Sequence, residues 1–183
     1  MRKKIYILLI MAIILGCKDN RDKNIDTTQF KIQNLNRENI SILVKNDKYL
    51  FRNIKPKIVF IYFFATWCPP CIGEIPHLNS LLEKYNNQID ILGVLLYDGE
   101  LKSIELKRFI KYNKIDFFIS KSFRENRRFA NFIALKLRLK PEFSIPLMVM
   151  FVDGKYFTHY EGIVPEEMIE SDIKQAKLKL KGE

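Results

Sequence analysis

The chain carries the sequence WCPPC at residues 67–71, close behind the run KIVFIYFF at residues 57–64. β-Branched and aromatic residues with almost no polar members predict a fully buried strand over this run. Beyond the second cysteine, apolar residues recur at helical spacing through residues 70–86, which predicts an amphipathic helix. The two cysteines therefore lie where a buried strand gives way to a helix.

This position favours thiol chemistry for Cys68 and Cys71. A helix N-terminus has unpaired N–H groups and a partial positive charge, which stabilise a thiolate and lower its pKa from about 8.5. Cys68 begins the turn and is predicted to be the attacking thiolate, and the more buried Cys71 is predicted to resolve the mixed disulfide. Pro69 and Pro70 suit the first helical turn but remove two N–H donors from the Cys68 sulfur. They should therefore raise its pKa relative to a Gly-Pro pair.

The composition narrows the classes of function. A length of 183 residues fits a single domain. Three cysteines and two histidines are too few for a disulfide framework or a zinc site built on paired CxxC motifs, so we expect neither a metal nor a cofactor. The net charge of +10 is compatible with nucleic-acid binding. However, the lysines are scattered and no binding motif accompanies them, so we expect a basic soluble surface and no nucleic-acid partner.

The N-terminus has the pattern of an export signal. Basic residues at positions 2–4 precede an apolar run over residues 5–15. As a helix, this run would span about 16 Å, well short of the roughly 30 Å hydrocarbon core of a bilayer. It therefore predicts a signal peptide, with a short transmembrane or ordinary secretory segment as the alternative. The run ends in Ile14-Leu15-Gly16-Cys17.

That ending resembles the lipobox of bacterial lipoproteins, which implies lipidation of Cys17 and a membrane anchor made of acyl chains. Residues 1–16 are then the lipoprotein signal peptide. Residues 17–28 are mostly polar and are predicted to form a lipid-anchored tether. Residues 29–183 are predicted to form the folded domain.

Strand and helix patterns alternate through this domain. Apolar residues on both sides of the turn at residues 36–39 predict an N-terminal β-hairpin, and Asp153-Gly154 is a strong signal for a second one. The order predicts an α/β fold in which one sheet is covered by helices on both faces. The further strands are predicted at residues 57–64, 89–97, 117–120, 147–152 and 156–161, and the helices at residues 70–86, 101–113, 125–137 and from Pro165 onward.

Residues 63–76, FFATWCPPCIGEIP, resemble the membrane-anchored thioredoxins of the TlpA/ResA type. The resemblance extends from about residue 28 to the C-terminus. It implies a thioredoxin fold: a central mixed sheet, helices on both faces and an extra N-terminal hairpin. It also implies that Ile145-Pro146 forms the cis-proline turn that faces the two cysteines and contacts the partner's chain. With Trp67, these two residues are predicted to bind substrate.

The resemblance also implies a third catalytic residue. Thioredoxins usually keep a buried Asp six residues before the first cysteine, and Tyr62 takes that position in this chain. Glu74 lies three residues after Cys71 on the same helical face and resembles the family's proton-handling glutamate. We expect it to act as general base for Cys71, with a raised pKa if it is desolvated; a solvated surface glutamate is the alternative. His77 and His159 are not expected to be catalytic.

The implied function is a protein-disulfide reductase that faces the periplasm or the cell exterior. The resemblance implies substrates such as the haem-site cysteines of apocytochrome c, in cytochrome c biogenesis, and a transmembrane electron donor of the DsbD/CcdA type. The same cysteines could work in reverse as a disulfide oxidase or isomerase, because direction depends on the relative stability of thiols and disulfide. A copper metallochaperone is disfavoured because such modules pair CxxxC with a distal His. A peroxiredoxin is disfavoured because the Pro-rich peroxidatic loop is absent around Cys68.

Overall fold

The structure, a computed structural model, describes residues 27–182. The predicted signal peptide, Cys17 and residues 18–26 of the predicted tether lie outside the described residues. Within the described part of the chain, no helix is both long enough and apolar enough to cross a membrane.

The described residues form eight strands and four helices, and the predicted elements are present with ends shifted by two residues at most. The strands are β1 (Thr27–Gln33), β2 (Asn39–Lys45), β3 (Lys48–Arg52), β4 (Ile58–Phe64), β5 (Ile89–Leu95), β6 (Phe118–Ser120), β7 (Leu147–Val152) and β8 (Lys155–Glu161). The helices are α1 (Pro69–Lys84), α2 (Ser103–Tyr112), α3 (Phe123–Leu137) and α4 (Glu166–Lys181).

The central sheet has five strands in the order β6-β5-β4-β7-β8. Strands β4, β5 and β6 pair in parallel, whereas β7 pairs antiparallel with both β4 and β8. The predicted mixed sheet is therefore confirmed. Every residue of the middle strand β4 is buried, as its uninterrupted apolar sequence predicts for a strand covered on both faces.

The N-terminal hairpin is larger than the sequence pattern predicts. Strands β1, β2 and β3 form a separate antiparallel sheet, so the predicted hairpin of β1 and β2 is extended by a third strand. Asn46 and Asp47 connect β2 to β3 with φ of 50° and 58°, which is the backbone of a tight two-residue hairpin turn. The pattern missed β3 because the strand is only five residues long and its turn lacks the usual glycine.

Two apolar layers hold the domain together. The even-numbered residues of β4 pack against α1, α2 and α4 on one face of the central sheet. The odd-numbered residues pack on the other face against α3 and the three-stranded sheet. Because each fully buried large side chain contributes about 1.5–3 kcal/mol, these layers fix α1 firmly against β4.

Three segments meet at one edge of the central sheet. The carboxyl ends of β4 and β5 lie together because the two strands are parallel. The start of β7 lies at the same edge because β7 is antiparallel to β4, with Leu147 opposite Phe63. The loop before α1, the loop after β5 and the segment before β7 are therefore neighbours.

Candidate active site

Cys68 and Cys71 form a disulfide at the N-terminus of α1. Cys68 is the N-cap residue, and its Sγ accepts a hydrogen bond from the backbone N–H of Cys71 at 3.3 Å. Cys68 is 4% exposed and Cys71 0%, in the order that the predicted roles of attacking and resolving residue need. Pro69 and Pro70 fill the first two helical positions, so Cys71 offers the first N–H of this helix.

The segment before β7 lies against the disulfide. The peptide bond between Ile145 and Pro146 is cis, which confirms that prediction. The carbonyl oxygen of Ile145 lies 4.0 Å from Cys68 Sγ, so this turn does face the cysteines. Ile145 is partly exposed beside the sulfur, and its contact with a substrate stays a prediction.

Glu74 is buried in α1, on the face that carries Cys71. Its exposed fraction is 3%, and no residue within 27–182 donates a hydrogen bond to its Oε2. Burial raises the pKa of Glu74, His77 in its protonated form opposes that rise, and the Glu166 carboxylate adds to it. The alternative of a solvated surface glutamate is therefore wrong, while the role of general base stays a prediction.

Tyr62 connects β4 to the disulfide loop. Its hydroxyl donates a hydrogen bond of 2.9 Å to the carbonyl oxygen of Cys71. Burial raises the pKa of Tyr62, and the nearby Glu74 carboxylate adds to the rise, so the hydroxyl stays a neutral donor. The sequence pattern marks this position but does not predict the contact. The available signal was that a tyrosine hydroxyl in a buried strand needs a hydrogen-bond partner.

Asp98, in the loop after β5, holds the loop that precedes α1. The backbone N–H of Thr66 lies 3.1 Å from both carboxylate oxygens, and the Thr66 hydroxyl donates to Oδ1 at 2.6 Å. Burial raises the pKa of Asp98, and the hydrogen bonds from Thr66 oppose that rise. This pair was not predicted from the sequence, although polar residues that follow two neighbouring parallel strands are expected to meet.

Trp67 and Tyr97 extend these contacts to the segment before β7. Trp67 is 61% exposed, and its indole N–H donates to the carbonyl oxygen of Tyr97 at 3.2 Å. The hydroxyl of Tyr97 donates to the carbonyl oxygen of Phe143 at 3.1 Å. Tyr97 thus bonds to the residue before Cys68 and to the segment that leads to the cis-proline turn.

The two histidines lie in separate settings. His77 Nδ1 is 3.3 Å from Glu166 Oε2, which links α1 to α4, and its charge acts on Glu74. His159 lies on β8 with its Nδ1 2.8 Å from the Tyr156 hydroxyl. Residues 27–182 contain no group of three or more His, Cys, Asp or Glu side chains that could hold a metal ion.

The family model described as the AhpC/TSA family matches residues 27–126, which is more than half of the chain. The chain belongs to the AhpC/TSA family. The matched range of this family member includes both cysteines, Glu74 and Asp98.

Curated relatives carry the names of thiol–disulfide oxidoreductases. The thiol-disulfide oxidoreductase ResA of Bacillus cereus is 32% identical over 75 residues, which are 40% of this chain and 42% of that protein. The sporulation thiol-disulfide oxidoreductase A of Bacillus subtilis is 28% identical over 89 residues, or 48% of each protein. The chain thus spans less than half the length of these two relatives. These matches confirm the predicted resemblance to the TlpA/ResA type.

Solved structures confirm the fold. A thiol:disulfide interchange protein of the thioredoxin family from Chlorobium tepidum TLS superposes with a TM-score of 0.62 at 18% identity. The superposition covers 81% of this chain and 92% of that chain. The predicted thioredoxin fold is therefore confirmed, with the N-terminal sheet as its addition.

Proposed function

We propose that this chain is a thiol–disulfide oxidoreductase in which Cys68 and Cys71 exchange a disulfide with another protein. The observation that carries the proposal is the Cys68–Cys71 disulfide at the N-terminus of α1. The helix end stabilises the thiolate that attack requires. The cis-proline turn beside Cys68 and the buried Glu74 also support disulfide exchange as the function.

In the reducing direction, the reaction takes two exchange steps. The Cys68 thiolate attacks one sulfur of the target disulfide, so the target S–S bond breaks and a mixed disulfide forms. The target's second sulfur leaves as a thiolate and takes up a proton. Cys71 then attacks Cys68 Sγ, the mixed disulfide breaks, and the Cys68–Cys71 disulfide forms as the second target thiolate leaves. Two electrons pass to the target, and an external dithiol must reduce the enzyme again.

Glu74 is proposed to take the proton of Cys71 before the second step. A thiol must lose its proton to become a nucleophile, and Cys71 is buried away from water. A carboxylate with a raised pKa accepts that proton more readily than a solvated one. Its unpaired Oε2, for which the described residues supply no donor, is open to receive it.

The physiological role is proposed to be reduction of disulfides outside the cytoplasm, with apocytochrome c as one candidate substrate. The signal-like N-terminus and the lipobox-like ending at Cys17 support an anchored, extracytoplasmic location. A DsbD/CcdA-type transporter is the proposed electron source. An oxidase or isomerase with the same cysteines is distinguished by the reduction potential. A value near or below about −250 mV supports a reductant, and one near −120 mV supports an oxidant.

Serine variants of the three cysteines test the proposal. Cys68→Ser should abolish reduction of a protein disulfide such as that of insulin, because no attacking thiolate remains. Cys71→Ser should accumulate mixed disulfides, visible on non-reducing gels, because the first step proceeds without the second. Cys17→Ser is the matched control and should keep full activity. Full activity of Cys68→Ser would overturn the proposal.

A further inference from the structure

Tyr97 has an unusual backbone conformation for its residue type. Nine non-glycine residues within 27–182 have positive φ, and eight of them are Asn, Asp, Lys or Arg. Tyr97, with φ of 63°, is the aromatic member of this set. The left-handed region is strained for residues other than Gly, Asn and Asp, so surrounding contacts must hold Tyr97 there.

These contacts reach two segments next to Cys68: the residues directly before it and the segment before the cis-proline turn. The backbone carbonyl of Tyr97 accepts from the Trp67 indole at 3.2 Å, and its hydroxyl donates to the Phe143 carbonyl at 3.1 Å. The next residue, Asp98, accepts the hydrogen bonds from Thr66. One short loop is therefore bonded to the residues before Cys68 on one side and to the segment before the cis-proline turn on the other.

The Cys68 sulfur lies between the two segments that this loop joins. Trp67, directly before it, is 61% exposed, and the Ile145 carbonyl is 4.0 Å from the sulfur. Tyr97 itself is 43% exposed. A polypeptide whose disulfide reaches Cys68 comes close to Trp67 and Ile145, which lie next to the sulfur, so the placement of these residues affects how well such a chain fits. A small disulfide needs no such fit.

We propose that Tyr97 is a positioning residue that sets this placement and thereby favours polypeptide disulfides over small ones. The inference rests on the proposed function, because it concerns the substrate of the same cysteines. The hydroxyl of Tyr97 is the essential group. Burial raises its pKa, as does the Glu142 carboxylate, while Arg127 lowers it. It therefore stays protonated near neutral pH and keeps donating to Phe143.

The test compares Tyr97→Phe with Tyr112→Phe in the full chain. Tyr97→Phe removes only the hydroxyl, and Tyr112 is a matched control because it is 87% exposed. For insulin as the protein disulfide, Tyr97→Phe should raise KM roughly three- to tenfold, the factor that one net hydrogen bond is worth. Its kcat, its rate with oxidised glutathione and its reduction potential should stay at the wild-type values. Tyr112→Phe should change none of these quantities.

An unchanged KM for insulin, or an equal loss with oxidised glutathione, would overturn the positioning role. A second measurement needs no activity at all. Trp67 is the single tryptophan of the chain, so tryptophan fluorescence reports on the segment directly before Cys68 and on no other. Tyr97→Phe should lower the anisotropy of Trp67, because the loop that holds the indole loses its anchor on Phe143. Unchanged anisotropy would also overturn the inference. Inactivity of the wild type on every disulfide would instead refute the proposed function.

Discussion

Glu74 and Asp98 are carboxylates on two sides of the same redox site, and they differ in what hydrogen-bonds to them. Asp98 accepts from the backbone N–H and the hydroxyl of Thr66. Glu74 Oε2 has no donor among the described residues. Burial raises the pKa of both, but only for Asp98 do hydrogen bonds oppose the rise. A fully paired carboxylate fixes a loop, whereas one that lacks donors is suited to exchange a proton.

The unpaired carboxylate has a consequence for stability. Because the pKa of Glu74 is raised in the folded state, the unfolded chain ionises this group at lower pH than the folded protein does. The contribution of Glu74 to stability is highest while both states are protonated, below the ordinary value of 4.5. It then falls as the pH rises from that value through the folded pKa, because the unfolded state alone gains by ionising.

The largest effect is expected for Glu74→Gln. Without a proton acceptor, the resolving step at Cys71 should slow roughly 100-fold at neutral pH, the size typical of one general base. Rapid-mixing measurement of the release of a reduced peptide from its mixed disulfide gives this rate. The pH–rate profile should also lose the limb that belongs to Glu74.

Glu83→Gln is the matched control because Glu83 is an exposed residue of the same helix. It should leave both the rate and the profile unchanged. Glu74→Gln should also flatten the fall of stability above pH 4.5, as measured by urea unfolding at several pH values. A normal resolving rate in Glu74→Gln would mean that water takes the proton of Cys71.

Asp98→Asn should act on stability more than on proton transfer. The new amide group would point N–H donors at the donors of Thr66, leaving at least one of them without an acceptor. An unpaired donor costs about 1–3 kcal/mol when it is fully buried, so the loss at the partly buried Thr66 should lie at or below the lower end of that range, which urea unfolding measures. Asp116→Asn, at an exposed aspartate, is the control. If Asp98→Asn instead slows the resolving step as Glu74→Gln does, the two carboxylates do not have separate roles.

The sequence predicted what depends on local pattern. The buried strand, the helix and the two cysteines between them lie within one stretch of chain, where periodicity and spacing suffice. The resemblance then added the cis-proline turn and Glu74. The strongly apolar sequence of β4 predicted a fully buried strand, and the position of α1 follows from that of β4.

Contacts between distant segments were missed. Thr66 and Asp98 are far apart in sequence and meet only because β4 and β5 are parallel neighbours. Glu166, which faces His77, comes from the last helix. A loop residue such as Tyr97 carries no periodic signal, and its positive φ follows from tertiary contacts. Sequence patterns locate helices and strands, but side-chain contacts across loops depend on the tertiary structure.

A smaller effect is expected from the two groups that act on Glu74 through charge. His77→Gln removes an imidazole that, in its protonated form, lowers the pKa of Glu74, so the midpoint of the pH–rate profile should move to higher pH. Glu166→Gln removes a negative charge that raises this pKa, so the midpoint should move to lower pH. His159→Gln, on β8, should leave the midpoint unchanged. Shifts of the same sign in both variants would refute this electrostatic account.

The smallest effect concerns the Cys68 sulfur. It accepts one hydrogen bond, from the Cys71 N–H, and is therefore intermediate in hydrogen bonding between Asp98, which accepts several, and Glu74 Oε2, which accepts none from the described residues. An N-cap side chain accepts from the second or third helical N–H, and Pro70 occupies the second position. Pro70→Ala would supply that donor to the reduced protein, so Cys68 should form more thiolate at a given pH, by roughly three- to tenfold. The pH dependence of Cys68 alkylation measures this fraction.

Pro69→Ala is the matched control. A donor restored at this position was expected from the sequence to lower the Cys68 pKa, but the N–H at the first helical position is not one that an N-cap side chain accepts. This variant loses the same proline ring but should shift the alkylation profile less. Equal shifts in the two variants would assign the effect to loss of ring rigidity instead of to the added donor. A shift confined to Pro70→Ala would mean that the thiolate, like Asp98, is stabilised by each N–H that reaches it. Pro70 would then be the residue that leaves the Cys68 sulfur with a single donor, closer to Glu74 Oε2, which has none among the described residues, than to Asp98.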